Sequence, residues 1–162
     1  RQALGVRKGE LCLEYEPFAK ALKRACERYE FVTFDYGDKE AREDFSLRVY
    51  DKHHVYPFFA LTSLVEESMK EHKTMRELFQ KADITYDVNF THLIHAFEQS
   101  GARVEMYATQ MKALVEFGLI ELLEILQKNV SEKAYSSEMN KVKILIDPSF
   151  MGERFKMVCF RA

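Results

Sequence analysis

The sequence predicts an α/β fold, and three observations predict it. The run Phe31-Val32-Thr33-Phe34 is apolar and β-branched, as in a strand covered on both faces in the middle of a parallel sheet. An amphipathic helical stretch directly precedes it, completing a strand, helix, strand unit with the segment before that. Further along, a helix, the pair Ser100-Gly101 and a new strand repeat the same rhythm.

Composition bounds what such a chain does. Its 162 residues are 47% hydrophobic and 31% charged with a formal net charge of -2, the balance of an ordinary globular protein, and a single domain over 1–162 is expected. At this length roughly 70% of the unfolded chain's surface is buried on folding, so no disulfide or metal staple is required. Cys12, Cys26 and Cys159 are odd in number, widely spaced and form no CxxC pair, which predicts reduced thiols and a cytoplasmic setting. No apolar run approaches the ~20 residues that cross a bilayer, so no membrane partner is expected. Basic and acidic residues are interspersed, without the positive surface that grips phosphates, and no nucleic acid is expected either. The sequence opens on Arg1 without an initiating methionine, which suggests a fragment.

Taken in order, Leu11-Cys12-Leu13-Glu14-Tyr15-Glu16-Pro17 alternates apolar and charged residues and predicts a half-exposed strand stopped at Pro17. Phe18, Ala21, Leu22, Ala25 and Cys26 then recur at helical spacing, predicting a helix from Phe18 to Tyr29, with Pro17 suited to its first turn. The strand from Phe31 ends in Asp35-Tyr36-Gly37-Asp38. In open α/β sheets the ligand crevice lies beyond the carboxyl ends of the strands, so Asp35 and Tyr36 are candidates to project from a rim while Gly37 lets the chain turn away. Plain turn chemistry, with Asp35 capping the residues after it, explains the same stretch. Phe45 to Tyr50 alternates as a short edge strand or an extended loop. His53 and His54 come next, neighbours that point to opposite sides of an extended chain and make a poor metal site.

Phe58 to Ala82 carries an apolar stripe opposite a charged face and predicts a helical insertion. Asp87 or Asn89 can cap a helix from Phe90 to Gln99, on which His92 and His95 lie three apart with no third ligand in view. Ala102 to Tyr107 reads as a strand. Helical patterns continue from Thr109 to Gln127, interrupted at Phe117-Gly118, and from Glu132 to Ile146, broken at Asp147-Pro148. Residues 154–160 close the chain as a buried strand.

With these pieces in order the chain resembles the carboxyl-terminal half of the MidA family of S-adenosylmethionine-dependent methyltransferases, whose mitochondrial members methylate an arginine on a respiratory complex I subunit. The resemblance rests on Leu13-Glu14-Tyr15-Glu16-Pro17, Phe34-Asp35-Tyr36-Gly37-Asp38, Leu47-Arg48-Val49-Tyr50 with His53, and Asp83-Ile84-Thr85 with Val88 and Phe90. Gly101 to Val104, Thr109-Gln110, Phe117-Gly118-Leu119, Asp147-Pro148, Met151-Gly152 and Phe155-Lys156 continue it. Asp87 and Asn89 stand where the family has histidine and aspartate. The resemblance implies a partial Rossmann-like class I methyltransferase sheet ending in an antiparallel strand. It implies S-adenosylmethionine as cofactor, a protein (arginine) substrate, and Asp35, Tyr36, His53 and Asp87 as catalytic candidates.

Such enzymes hold their cofactor on a glycine-rich loop after the first strand. The six glycines here, at 5, 9, 37, 101, 118 and 152, form no such loop. The expectation is that the cofactor-binding half is missing and that these residues alone bind no cofactor. The expected partner is that missing amino-terminal portion or a second copy, docked on an open sheet edge. A non-catalytic interaction or assembly module derived from the family is the alternative, and a histidine-based metallohydrolase ranks last.

Overall fold

The computed structural model describes residues 10–40, 42, 44–59 and 80–162. The helical insertion expected at 58–82 lies almost wholly outside the described residues. The chain divides into two compact units, residues 1–11 with 41–87, and residues 12–40 with 88–162.

The larger unit is built on a four-stranded sheet in the order β5-β1-β7-β6, where β1 is Glu30–Asp38, β5 Val88–Asn89, β6 Arg103–Thr109 and β7 Phe155–Arg161. β7 runs antiparallel to both of its neighbours, as the expected closing strand should. β1 is parallel only to the two-residue β5, at Gly37 and Asp38. This corrects the picture of a fully covered strand within a parallel sheet. β1 has a long antiparallel partner on one side and a short parallel one only at its tip, and Val32 on it is 43% exposed.

α1 (Tyr15–Ala25) and α2 (Phe90–Gln99) share one face of this sheet. Their core is aromatic: Phe97 stacks on Phe160 at 4.1 Å and on Phe31 at 5.2 Å, with Phe18 edge-on to both Phe31 and Phe97. Ala19, fully buried, lets α1 pack closely, since a larger side chain would hold the helix off. Truncating Phe97 here would cost about 3–5 kcal/mol. α2 has the predicted limits: the Asn89 side chain accepts the His92 amide at 3.0 Å, and at the other end Gly101 adopts φ +91 while its amide reaches Glu98 and that of Ala102 reaches Phe97. α3 (Gln110–Glu116) covers part of the second face, burying Ala113 with Ala108 and Met157. α4 (Leu119–Asn129) and α5 (Glu132–Ile146) have no buried residue.

The amino-terminal expectations need correction. No strand forms over 11–17: residues 10–14 are coil and turn, and the helix starts at Tyr15 with Pro17 in its first turn and ends at Ala25. An alternating pattern makes a strand only where a ladder partner exists, and none pairs with this segment among the described residues. Leu11 and Leu13 are 67% and 73% exposed.

The smaller unit holds a three-stranded antiparallel sheet in the order β3-β2-β4, with β2 Arg48–Asp51, β3 His54–Pro57 and β4 Asp83–Thr85. The segment expected as an edge strand or loop is therefore the central strand, and Val49 on it is buried.

Candidate functional site

Asp35 and Tyr36 do not form a converging pair. Side chains alternate across a strand, so adjacent residues leave by opposite faces. Asp35 sits in register with Lys156 of β7, and its Oδ1 accepts the Tyr36 amide at 2.8 Å. The Tyr36 ring lies edge-on to Phe155 at 5.5 Å, with the Arg154 guanidinium 5.9 Å from its centroid. The strand also does not turn away at Gly37. It continues to Asp38 and pairs there with β5, and a Cβ on Gly37 would stand 2.1 Å from the Val88 carbonyl oxygen. Gly37 is a point of close backbone approach.

The carboxyl end of β1 carries groups that the sequence reading missed. Asp38 lies 3.7 Å from Lys156 Nζ, Thr91 donates to the Lys39 carbonyl at 2.7 Å, and the Lys39 ammonium sits 4.3 Å above the Tyr107 ring. Among the described residues the buried Tyr107 hydroxyl has no well-formed hydrogen bond, and the nearby Lys39 backbone only tempers the effect of burial. Burial, and secondarily the Asp38 charge, push this phenol up to about 12. Lys156 is within reach of sequence reasoning through the closing Phe155-Lys156 match. Tyr107 reads in sequence only as one more strand aromatic.

Asp87 belongs to the smaller unit and is firmly held. Its Oδ2 accepts Arg42 Nη1 at 2.9 Å and its Oδ1 accepts Arg48 Nη2 at 2.6 Å. Its amide donates to Ser46 Oγ at 2.8 Å, while the buried Ser46 hydroxyl donates to Glu10, which also accepts the Leu47 amide. Arg42 makes a second, forked contact with Asp44 at 2.8 and 2.9 Å and holds that carboxylate below its ordinary range, chiefly by hydrogen bonding. Asp87 is thus a carboxylate already shaped to receive guanidinium groups. His53 lies in the β2–β3 turn, exposed beside Lys52, and His54 opens β3, also exposed. Asp35 and Tyr36 fall in the larger unit, His53 and Asp87 in the smaller one.

His92 lies against Tyr15 at 5.2 Å and, with Glu16, Lys20, His95 and Gln99, lines a cavity of about 290 Å³ between α1 and α2. No group of three or more histidine, cysteine or acidic side chains is placed to hold a metal among the described residues. No helix among them is long and apolar enough to cross a membrane.

A mixed α/β unit whose last strand inserts antiparallel between two others has the architecture of a methyltransferase-like sheet, and two solved structures from Burkholderia thailandensis share it. One is an uncharacterized protein of the COG1565 superfamily, with TM-score 0.70 and 21% identity over 91% of this chain and 36% of that one. The other, a member of the same superfamily bound to S-adenosyl-homocysteine, has TM-score 0.65 and 20% identity over 91% of this chain and 35% of that one. The chain therefore spans about a third of the length of these structures. No curated protein matches it. Residues 5–108 match the model of a family described as "putative S-adenosyl-L-methionine-dependent methyltransferase", and the chain belongs to that family.

Among the described residues no glycine-rich loop follows a strand. Gly37 is the one glycine at the carboxyl end of a described strand, and the space beside its Cα is filled by the Val88 backbone.

Proposed function

We propose that this chain is the acceptor side of an S-adenosylmethionine-dependent methyltransferase that acts on arginine in a protein, as in the MidA family, and that the cofactor is held by polypeptide outside these residues. The observation that carries the reading is the bare side of β1. Tyr29 and Ala162 exchange both backbone bonds, so along this antiparallel pair Phe31, Thr33 and Asp35 also face β7 with their backbone groups. Val32 and Phe34 consequently turn their N–H and C=O the other way, where no strand pairs with them among the described residues. An edge of that length is a template for another strand, which polypeptide outside these residues would supply.

Asp87 supports the substrate assignment, because a carboxylate that takes two guanidinium groups has the charge and geometry to orient a third in place of the exposed Arg42. Asp35 or Tyr36, but not both, would face a given cleft of the larger unit, and His53, exposed on the smaller unit, would take a proton. The free thiols of Cys12, Cys26 and Cys159 support a cytoplasmic location. The test is transfer of labelled methyl groups by the natural-length protein to arginine-containing peptides, with lysine-for-arginine peptides as controls. Arginine-dependent transfer that falls roughly 10- to 100-fold in kcat/KM in Asp87→Asn supports the proposal. Absence of transfer with intact S-adenosyl-homocysteine binding would favour the non-catalytic module, for which the closed Arg42–Asp87–Arg48 arrangement speaks.

A further inference from the structure

α4 is a helix with its apolar side in solvent. Leu122 and Ile125 are 61% and 59% exposed, and Phe117, which lines the same groove, is 55% exposed. Between α3 and α4 an open groove of about 400 Å³ is lined by Leu114, Phe117, Leu119, Leu122 and Ile125. Leu119, Leu123 and Leu126 of this helix are half-buried and none of its residues is fully buried, so part of the packing that usually sustains an 11-residue helix in water is left unused on the Leu122 and Ile125 side. Glu121 lies in the first turn of this helix and Lys128 in the last, with Glu124 between them on the side turned away from Leu122. Each complements the helix dipole at its end.

We propose that α4 pairs with α4 of a second copy of the chain, antiparallel about a two-fold axis passing between Leu122 and Ile125. In that arrangement Leu122 of each copy meets Ile125 of the other and enters the partner's groove, as self-complementary two-fold contacts require. Glu121 of each copy then lies on the same side of the seam as Lys128 of the other, twice over, whereas a parallel two-fold pairing would carry the charged flanks of the two copies to opposite sides of the seam and form neither pair. The charges thereby select the orientation and the register. Leu122, Ile125 and Phe117 expose on the order of 300 Å² per copy. With the charged flanks this approaches ~600 Å² per copy, the low end of specific interfaces, so a dimer in the micromolar range is expected.

Sedimentation velocity on the natural-length protein tests this without reference to activity, so the result is independent of the proposed reaction. The protein is expected to sediment as a dimer. Leu122→Glu with Ile125→Glu, at positions exposed enough to leave the fold intact, should raise the dissociation constant roughly 100-fold or more. Glu121→Lys and Lys128→Glu should each weaken the homodimer. Mixing the two variants should restore dimers, because each copy then offers its partner opposite charges at both contacts. A monomer at all concentrations overturns the proposal, including one whose α4 amides are protected from exchange, which would mean that another part of the same polypeptide covers the helix. A dimer unaffected by the paired glutamates, or charge variants that gain nothing on mixing, overturns it as well.

Discussion

Replacing Gly37 by alanine separates two accounts of the Asp-Tyr-Gly-Asp end of β1. If the glycine merely lets the chain turn, the cost is one strained backbone. If it admits a neighbouring strand, the cost is larger. At φ +147 an alanine carries about 1–3 kcal/mol of backbone strain. Its Cβ would also stand 2.1, 2.7 and 2.8 Å from the oxygen, nitrogen and carbonyl carbon of Val88, all backbone atoms that no rotamer change can move. β5 must then leave β1, and the pairing at Gly37–Val88 and Asp38–Asn89 is lost at about 1 kcal/mol per hydrogen bond. The total is about 3–5 kcal/mol, a large fraction of the ~5–15 kcal/mol that holds a domain together. Gly101 is the internal control, with φ +91 and nothing within 4 Å of its would-be Cβ, so Gly101→Ala should cost only about 1 kcal/mol. In urea unfolding with a slope of ~2 kcal/mol/M, the Gly37 variant should lose about 2 M in midpoint and the Gly101 variant about 0.5 M. Equal midpoints for the two variants would refute the close-approach argument.

Other outcomes follow from the same geometry. Asp87→Ala leaves the half-buried Arg48 without its carboxylate and should destabilise by about 1–3 kcal/mol in chemical denaturation, the exposed Arg42 arm adding little. Spectrophotometric titration should find one tyrosine ionising near pH 12, Tyr107, above its ordinary 10.0. Because the folded value is raised, the native state holds its proton longer than the unfolded state between pH 10 and 12. The stability tied to the neutral phenol is complete below pH 10 and falls as pH rises through that window, and Tyr107→Phe should flatten the fall. Gln110→Ala removes the buried amide that donates to the Leu145 carbonyl at 2.8 Å, so α5 should loosen, with a loss of about 1–2 kcal/mol and faster exchange at its carboxyl end.

The parts of the fold legible in sequence are those set by local chemistry. Asn89 and Gly101 bracket α2 because a side-chain cap and a left-handed glycine act within one turn of the residues they end. The close at β7 is legible for the same kind of reason, an apolar run after a proline break. The features that escape sequence reading depend on distant partners. Leu11 to Pro17 alternates like a strand yet has no ladder to join among the described residues. The segment around Arg48 looks marginal, yet β3 and β4, themselves separated by a long stretch of chain, make it central. The candidate residues divide in the same way. Asp35 and Tyr36 are recognisable as a strand end, but alternation sends them to opposite faces. Asp87 is recognisable as a rim carboxylate, while its arginine partners lie 39 and 45 residues away and no local pattern announces them.

Polypeptide docking along the bare side of β1 is the central claim, and amide exchange reads that edge residue by residue. In the 162-residue chain, with its folding verified by circular dichroism, the Val32 and Phe34 amides should exchange quickly while those of Phe31 and Thr33, bonded to β7, are protected. In the natural-length protein all four should be protected, and S-adenosyl-homocysteine should bind only to that form. Rapid exchange at Val32 and Phe34 in the natural-length protein would contradict the claim.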